Sequence, residues 1–205
     1  MPRSPIITLS RLARPRRGFS LIEALIALSI TALAGSVLLL SVDSSLESTT
    51  EAVRRTIAEG MAQQLLNEIL TKQYVESGTD PLTGVFGASA FEQLGQGYER
   101  FDDVDDFVGY VAQPIEGVFG ETPGTGNDNG GLRFDSFRLR SDYFNNWRQR
   151  ADVYFVDPND HTIRSTTPTA YRALEVNVEW IKPNGGVIPL ARRKRIITYV
   201  PSTAS

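Results

Sequence analysis

The pattern of apolar and polar positions begins with one long, uniformly apolar stretch. From Phe19 to Val42 nearly every residue is apolar or small, and Glu23 carries the only charge. A helix rises about 1.5 Å per residue, so this stretch is long enough to cross about 30 Å of hydrocarbon. The pattern therefore predicts the transmembrane half of a helix over residues 19–42.

Beyond residue 43 the helix is predicted to become amphipathic. Apolar residues recur there at three- and four-residue spacing, which is typical of a helix that buries one face. No proline occurs between Phe19 and Asp80, whereas Gly78 and Pro81 supply stop signals. We therefore predict one helix of about 55 residues, with its amphipathic half over residues 43–78. The predicted stripe consists of Val53, Ile57, Met61, Leu65, Leu66, Ile69 and Leu70.

The rest of the chain, residues 79–205, is predicted to form a loop-rich head with a small sheet. Residues 80–129 are dense in turn residues, and strands are predicted at 151–157, at 172–181 and near the carboxyl end. The strand over 172–181 alternates apolar and polar residues, and "KPNGG" at 182–186 indicates a hairpin turn. One buried face per strand is typical of an antiparallel sheet covered by a helix on one side. The predicted fold class is therefore α+β, with a long helix packed on a small antiparallel sheet.

Charge is distributed unevenly along the chain. The net charge of the chain is −3, but its first eighteen residues, the leader, hold five arginines and no acidic residue. The remaining residues hold 16 basic against 24 acidic side chains, a net of −8. Such asymmetry around an apolar segment indicates an amino end in the cytoplasm. An acidic body is not expected to bind nucleic acid, and the absence of cysteine excludes disulfides and thiolate metal sites.

Two ordinary interpretations of the apolar segment remain open at this point. The first is a secretory signal cleaved after "ALA" at 32–34, before Gly35, although the apolar run continues beyond that point to Leu40. The second is a plain membrane anchor in which Glu23 reaches back to the headgroups. The plain anchor explains the length and the orientation but gives no reason for the glutamate.

A third interpretation follows from the stretch "RRGFSLIEALIALSI", which resembles the amino-terminal signature of type IV pilins and type II secretion pseudopilins. The resemblance implies a pilin-like fold and cleavage by a prepilin peptidase between Gly18 and Phe19, which removes the leader at 1–18. It also implies methylation of the new amine on Phe19. Pairing of that amine with Glu23 of a neighbouring subunit would offset the cost of a charge at membrane depth and would set the register of assembly.

The function implied by this resemblance is that of a non-catalytic structural subunit, a minor pilin or pseudopilin. Its partners would be the prepilin peptidase, other pilin or pseudopilin subunits, the inner-membrane assembly platform, and membrane lipid before assembly. The protein would cross the inner membrane once, with its amino terminus cytoplasmic and its head periplasmic, and would enter a filament after assembly. The alternative is a signal-anchored envelope protein whose periplasmic head binds a ligand or acts as a hydrolase.

No catalytic residues and no cofactor are expected in the head. The strongest metal candidates are Asp102, Asp103, Asp105 and Asp106, which offer oxygen ligands for calcium. Their spacing does not fit a helix-loop-helix calcium site, so a solvated acidic loop is the preferred interpretation. A second oxygen-rich turn at 127–129 is interpreted as a plain loop. His161 is the only histidine, so a zinc site built from histidines is not expected. The run "RRKR" at 192–195 is interpreted as an edge or solvent-facing strand rather than a site for nucleic acid or lipid.

Overall fold

The computed structural model describes residue 18 and residues 20–82, 86–126 and 134–200, and it contains one long helix and a four-stranded sheet. Helix α1 spans Leu21–Leu70, and the strands are β1 (Tyr110–Ala112), β2 (Trp147–Phe155), β3 (Tyr171–Ile181) and β4 (Val187–Thr198). The strands lie in the order β1-β2-β3-β4, and each neighbouring pair is antiparallel. The predicted α+β fold is confirmed. The chain divides into two compact units, Met1–Thr49 and Thr50–Ser205.

The second unit is held together by the end of α1 packing on the sheet. The predicted apolar stripe is confirmed from Ile57 to Ile69, whereas its two end residues, Val53 and Leu70, are 51% and 37% exposed. Two alanines that the stripe did not include, Ala58 and Ala62, have no exposed surface at all. Small side chains at these positions let the helix backbone approach the sheet closely. Gln149 of β2 uses this proximity, because its amide donates to the carbonyl of Met61 at 3.2 Å.

The predicted end of the helix near Gly78 is wrong, because α1 ends at Leu70. The residues after it make tertiary hydrogen bonds instead of continuing the helix. The amide of Gln73 donates to the carbonyl of Asp102, and the carbonyl of Gln73 accepts the amide of Val104. These two bonds form an isolated parallel bridge between Gln73 and residue 103. Lys72 also donates to the carbonyl of Phe101. The partners of Gln73 take over two backbone groups that a longer helix would have used, whereas Lys72 contributes through its side-chain amine.

The alternation predicted for β3 is confirmed. Leu174, Val176 and Val178 have no exposed surface, and the intervening side chains face outward. The adjacent β2 was predicted at 151–157 but begins at Trp147 and ends at Phe155. The early start follows the same period of two, because the polar residues at 148 and 150 occupy the outward positions of the strand.

Two connections complete the sheet. The "KPNGG" hairpin is confirmed: the amide of Lys182 donates to the carbonyl of Gly186 at 2.7 Å, and Gly185 has a φ of 81°. That positive φ explains the glycine, because other residues adopt it at a cost. Strand β1 lies in the region that was predicted to be loop-rich, where no strand was predicted. It is three residues long and packs Tyr110 into a cluster of aromatic rings with Tyr98, Phe101 and Phe107.

Candidate functional site

The front edge of α1 is closed by a capping box that involves Glu23. The amide of Glu23 donates to the hydroxyl of Ser20 at 3.3 Å, and the amide of Ser20 donates back to a carboxylate oxygen of Glu23 at 3.4 Å. Such reciprocal bonds satisfy backbone donors that a helix start leaves free, and a carboxylate there also suits the helix dipole. This role was not among the sequence predictions, although Ser-x-x-Glu ahead of an apolar run is its signature. Phe19 lies outside the described residues, and a side chain added at Gly18 would meet no atom within 4 Å.

The apolar half of α1 is exposed on every side within its own unit. Each large apolar side chain from Leu21 to Val42 is between 52% and 86% exposed. Among the described residues, α1 is the helix long and apolar enough to cross a membrane. This feature fits a single-pass membrane anchor.

Three hydroxyl groups of this apolar half are bonded to backbone carbonyls of the helix itself. Ser29 and Thr31 donate to the carbonyls of Leu25 and Ala27 at 2.9 and 2.8 Å. Ser36 donates to the carbonyl of Leu33 at 2.8 Å. Hydroxyl groups that are bonded within the helix cost little in hydrocarbon, whereas Glu23, the only charged residue of the segment, costs much more.

Comparison with known proteins identifies this same region. Residues 13–39 match the family model described as the prokaryotic N-terminal methylation motif. The chain therefore carries the signal of type IV pilins and pseudopilins, which implies processing by a prepilin peptidase and assembly with other pilin subunits. No curated protein and no solved structure matches the chain.

The acidic turn at 102–106 is not the solvated loop that the sequence predicted. Asp103, Asp105 and Asp106 are at most 5% exposed, and only Asp102 faces solvent. One oxygen of Asp106 accepts the amides of Asp102 and Asp103, and one oxygen of Asp103 accepts the amides of Asp105 and Asp106. The interpretation as a solvated loop is wrong because these carboxylates form the turn itself, by capping its backbone donors.

Burial is the largest cause of the raised pKa values of the aspartates in this turn. It raises the pKa of Asp106 to about 6, although the amides of Asp103 and Asp102 favour the charged form. Burial also raises the pKa of Asp105 to about 7, and the nearby guanidinium of Arg172 offsets only part of that effect. The pKa of Asp103 is raised for the same reason. The turn therefore takes up protons at a higher pH than exposed aspartates do.

Arg172 is the buried cation that holds the turn against the sheet. It lies on the inner face of β3 with no exposed surface, and its Nη1 donates to Asp105 at 2.6 Å. The same guanidinium donates to the carbonyls of Tyr74 and Pro81 at 2.7 and 3.0 Å. Its carbon also lies 4.3 Å from the ring centroid of Tyr74. One side chain thus joins the segment after α1, the acidic turn and the sheet.

Three carboxylates do converge near this turn, but they are not the four that the sequence suggested. Oxygens of Glu92, Asp102 and Asp106 lie within 4.8 Å of one another. Asp103 and Asp105 point to other partners, so a calcium site built from all four aspartates is not formed. The second candidate turn, 127–129, lies outside the described residues. His161 is exposed and packs against the ring of Tyr171, with a centroid distance of 4.8 Å.

Proposed function

We propose that the protein is a non-catalytic filament subunit, a minor pilin or pseudopilin of a type IV pilus or a type II secretion filament. The observation that carries the proposal is the methylation motif at 13–39, which continues directly into a helix whose apolar half is exposed on every side. A helix of this kind needs a membrane before assembly and neighbouring helices afterwards.

The proposed processing creates the partner that Glu23 lacks. Cleavage between Gly18 and Phe19 by a prepilin peptidase releases a positive amine within a few residues of Glu23, and methylation of Phe19 leaves that amine charged. In the precursor the carboxylate is occupied by the amide of Ser20 at 3.4 Å, a bond that a charged amine outcompetes. Pairing with the amine of a neighbouring subunit then neutralises both charges and fixes the register between the two helices.

The topology follows from the charge distribution. The arginine-rich leader favours a cytoplasmic amino end, so the protein crosses the inner membrane once and its head faces the periplasm. The inner-membrane assembly platform would then draw the subunit out of the lipid and into the filament. Neither the apolar helix nor the sheet needs a cofactor for this role.

The mature amino terminus tests the proposal directly. We expect mass spectrometry of the protein from its own membranes to find a chain that starts at Phe19 and is heavier by one methyl group. Gly18→Val should abolish cleavage because a side chain obstructs entry to the peptidase, while Gly18 itself has nothing within 4 Å to disturb. Gly35→Val is the matched control, since Gly35 is equally open. A chain that starts at Gly35, or an uncut chain, would overturn the proposal.

A further inference from the structure

Strand β4 presents a long free edge at one side of the sheet. It forms the last strand in the order β1-β2-β3-β4 and pairs only with β3. Within the described part of the chain, the backbone groups of 187–198 that point away from β3 meet no other backbone group. The opposite edge strand, β1, is only three residues long. The fold therefore offers one edge that is long enough to accept another strand.

The features that normally block such pairing are confined to the first part of β4. Pro189 has no amide hydrogen, and the register shifts opposite Val178 and Glu179, so that Leu190 is an extra residue. From Ala191 to Thr198 the pairing with β3 is regular. This second part is an open template of eight residues.

The open part carries four consecutive cations. Arg192 and Lys194 share the outer face with Asn177 and Glu175, whereas Arg193 and Arg195 share the inner face with Val176 and Leu174. Arg192 and Arg193 form ion pairs with Glu175 and Glu59 at 2.8 and 3.4 Å. Among the described residues, no carboxylate lies within ion-pair distance of Lys194 or Arg195. The edge therefore retains positive charge on both of its faces.

This charge selects the strand that can pair. A second copy of β4 would place cations opposite cations in an antiparallel pair, which is destabilising. A strand with acidic residues at the matching positions would neutralise Lys194 and Arg195 and would also satisfy the free backbone groups. Main-chain hydrogen bonds would supply affinity and the charges would supply specificity.

We propose that residues 191–198 of β4 bind an extended acidic segment of a partner protein by adding it to the sheet as a fifth strand. The proposal uses no residue of the apolar helix and does not involve Glu23, so it stands or falls independently of the filament role. It also gives the "RRKR" run a function that an ordinary edge strand does not have.

A synthetic peptide tests this proposal on the full-length protein in detergent micelles. The probe is a peptide of about ten residues. Its centre is a run of glutamates as long as the cation run of β4, and valines and threonines flank the glutamates on both sides. We expect saturable binding, with slower amide exchange confined to residues 191–198. A peptide with a central proline keeps the charge but breaks the ladder, so it should bind on the order of tenfold more weakly.

Variants of β4 supply the second arm. Lys194→Glu combined with Arg195→Glu should weaken binding of the acidic peptide on the order of tenfold. The control is Lys182→Glu in the exposed hairpin turn, which should leave binding unchanged. Equal binding of the proline peptide, or of an oligonucleotide of the same charge, would mean a surface that recognises charge alone and would overturn the proposal. Absence of binding by the acidic peptide would overturn it as well.

Discussion

Arg172 and Asp105 are separated by 67 residues in the sequence and form a buried ion pair, with Nη1 and Oδ1 2.6 Å apart. Neither side chain is more than 4% exposed. Arginine stays charged at all accessible pH values, so its buried guanidinium needs hydrogen-bond acceptors, and Asp105 is the side chain that supplies one. The pair fixes the acidic turn on the inner face of the sheet.

We predict that Asp105→Leu lowers the free energy of unfolding by about 1–3 kcal/mol, because it leaves the buried Arg172 guanidinium without its side-chain hydrogen-bond acceptor. The double variant Asp105→Leu/Arg172→Met should recover only part of that loss, since removing Arg172 also removes the donor to the carbonyls of Tyr74 and Pro81. Urea unfolding of the fragment from Thr50 measures both effects, because the packed core runs from Ile57 to Ile197.

The exposed pair Arg140 and Asp142 provides the control. Nη2 of Arg140 and Oδ2 of Asp142 are also 2.6 Å apart, but the side chain of Arg140 is 84% exposed and that of Asp142 is 55% exposed. Asp142→Leu should therefore cost less than about 1 kcal/mol. Equal losses for the two aspartates would contradict the role given to burial.

A second prediction concerns pH. Burial raises the pKa of Asp106 to about 6 from an ordinary value of 3.8. Between these values the folded state binds more protons than the unfolded state, so stability must fall as pH rises through this window. The raised pKa of Asp105, about 7, acts in the same direction. We expect urea unfolding to report a lower free energy at pH 8 than at pH 5, by about 1–3 kcal/mol.

The variant Asp106→Asn isolates one part of this effect. It removes the titrating group, so the difference between pH 5 and pH 8 should shrink, while the contribution of Asp105 remains. Glu175, whose pKa is lowered, does not interfere because it loses its charge only below its ordinary value of 4.5. A stability that increased from pH 5 to pH 8 would refute the prediction.

The parts of this structure that the sequence predicted are those that depend on local periodicity. The alternation of Leu174, Val176 and Val178 indicates a half-buried strand without any knowledge of its neighbours. The burial of Asp105 could not be predicted in this way, because it depends on Arg172, which is distant in sequence. The early end of α1 has the same origin, since Gln73 leaves the helix to bond residues 102 and 104. Only the capping box at Ser20 had a local signature that could have been found.

The close contact between α1 and the sheet leads to a third prediction. Ala62 has no exposed surface, so Ala62→Leu should overpack this contact and lower the free energy of unfolding by about 1–3 kcal/mol. Gly60 lies on the same helix with nothing within 4 Å, so Gly60→Ala should raise it by about 1 kcal/mol. Urea unfolding of both variants of the fragment from Thr50 checks the opposite signs. If both variants changed the free energy of unfolding in the same direction, the assigned packing would be contradicted.

A fourth prediction concerns calcium. One oxygen of the Asp106 carboxylate already accepts two backbone amides, from Asp102 and Asp103, and this reduces what the group can offer to a cation. We therefore expect the melting temperature of the fragment from Thr50 to be the same in calcium and in chelator. A calcium-dependent rise that disappears in Asp102→Asn would contradict this and would identify Glu92, Asp102 and Asp106 as a calcium site.

The final prediction separates the two roles of Glu23. Glutamine at this position can still accept the amide of Ser20 and keep the capping box, but it cannot neutralise an amine. Glu23→Gln should therefore be cleaved after Gly18 and yet fail to enter filaments, as measured by the fraction of the protein recovered in sheared filaments. Glu47→Gln, an exposed position on the same helix, is the control and should assemble normally. If Glu23→Gln assembled like the unaltered protein while Ser20→Ala did not, the capping box and not the charge would set assembly.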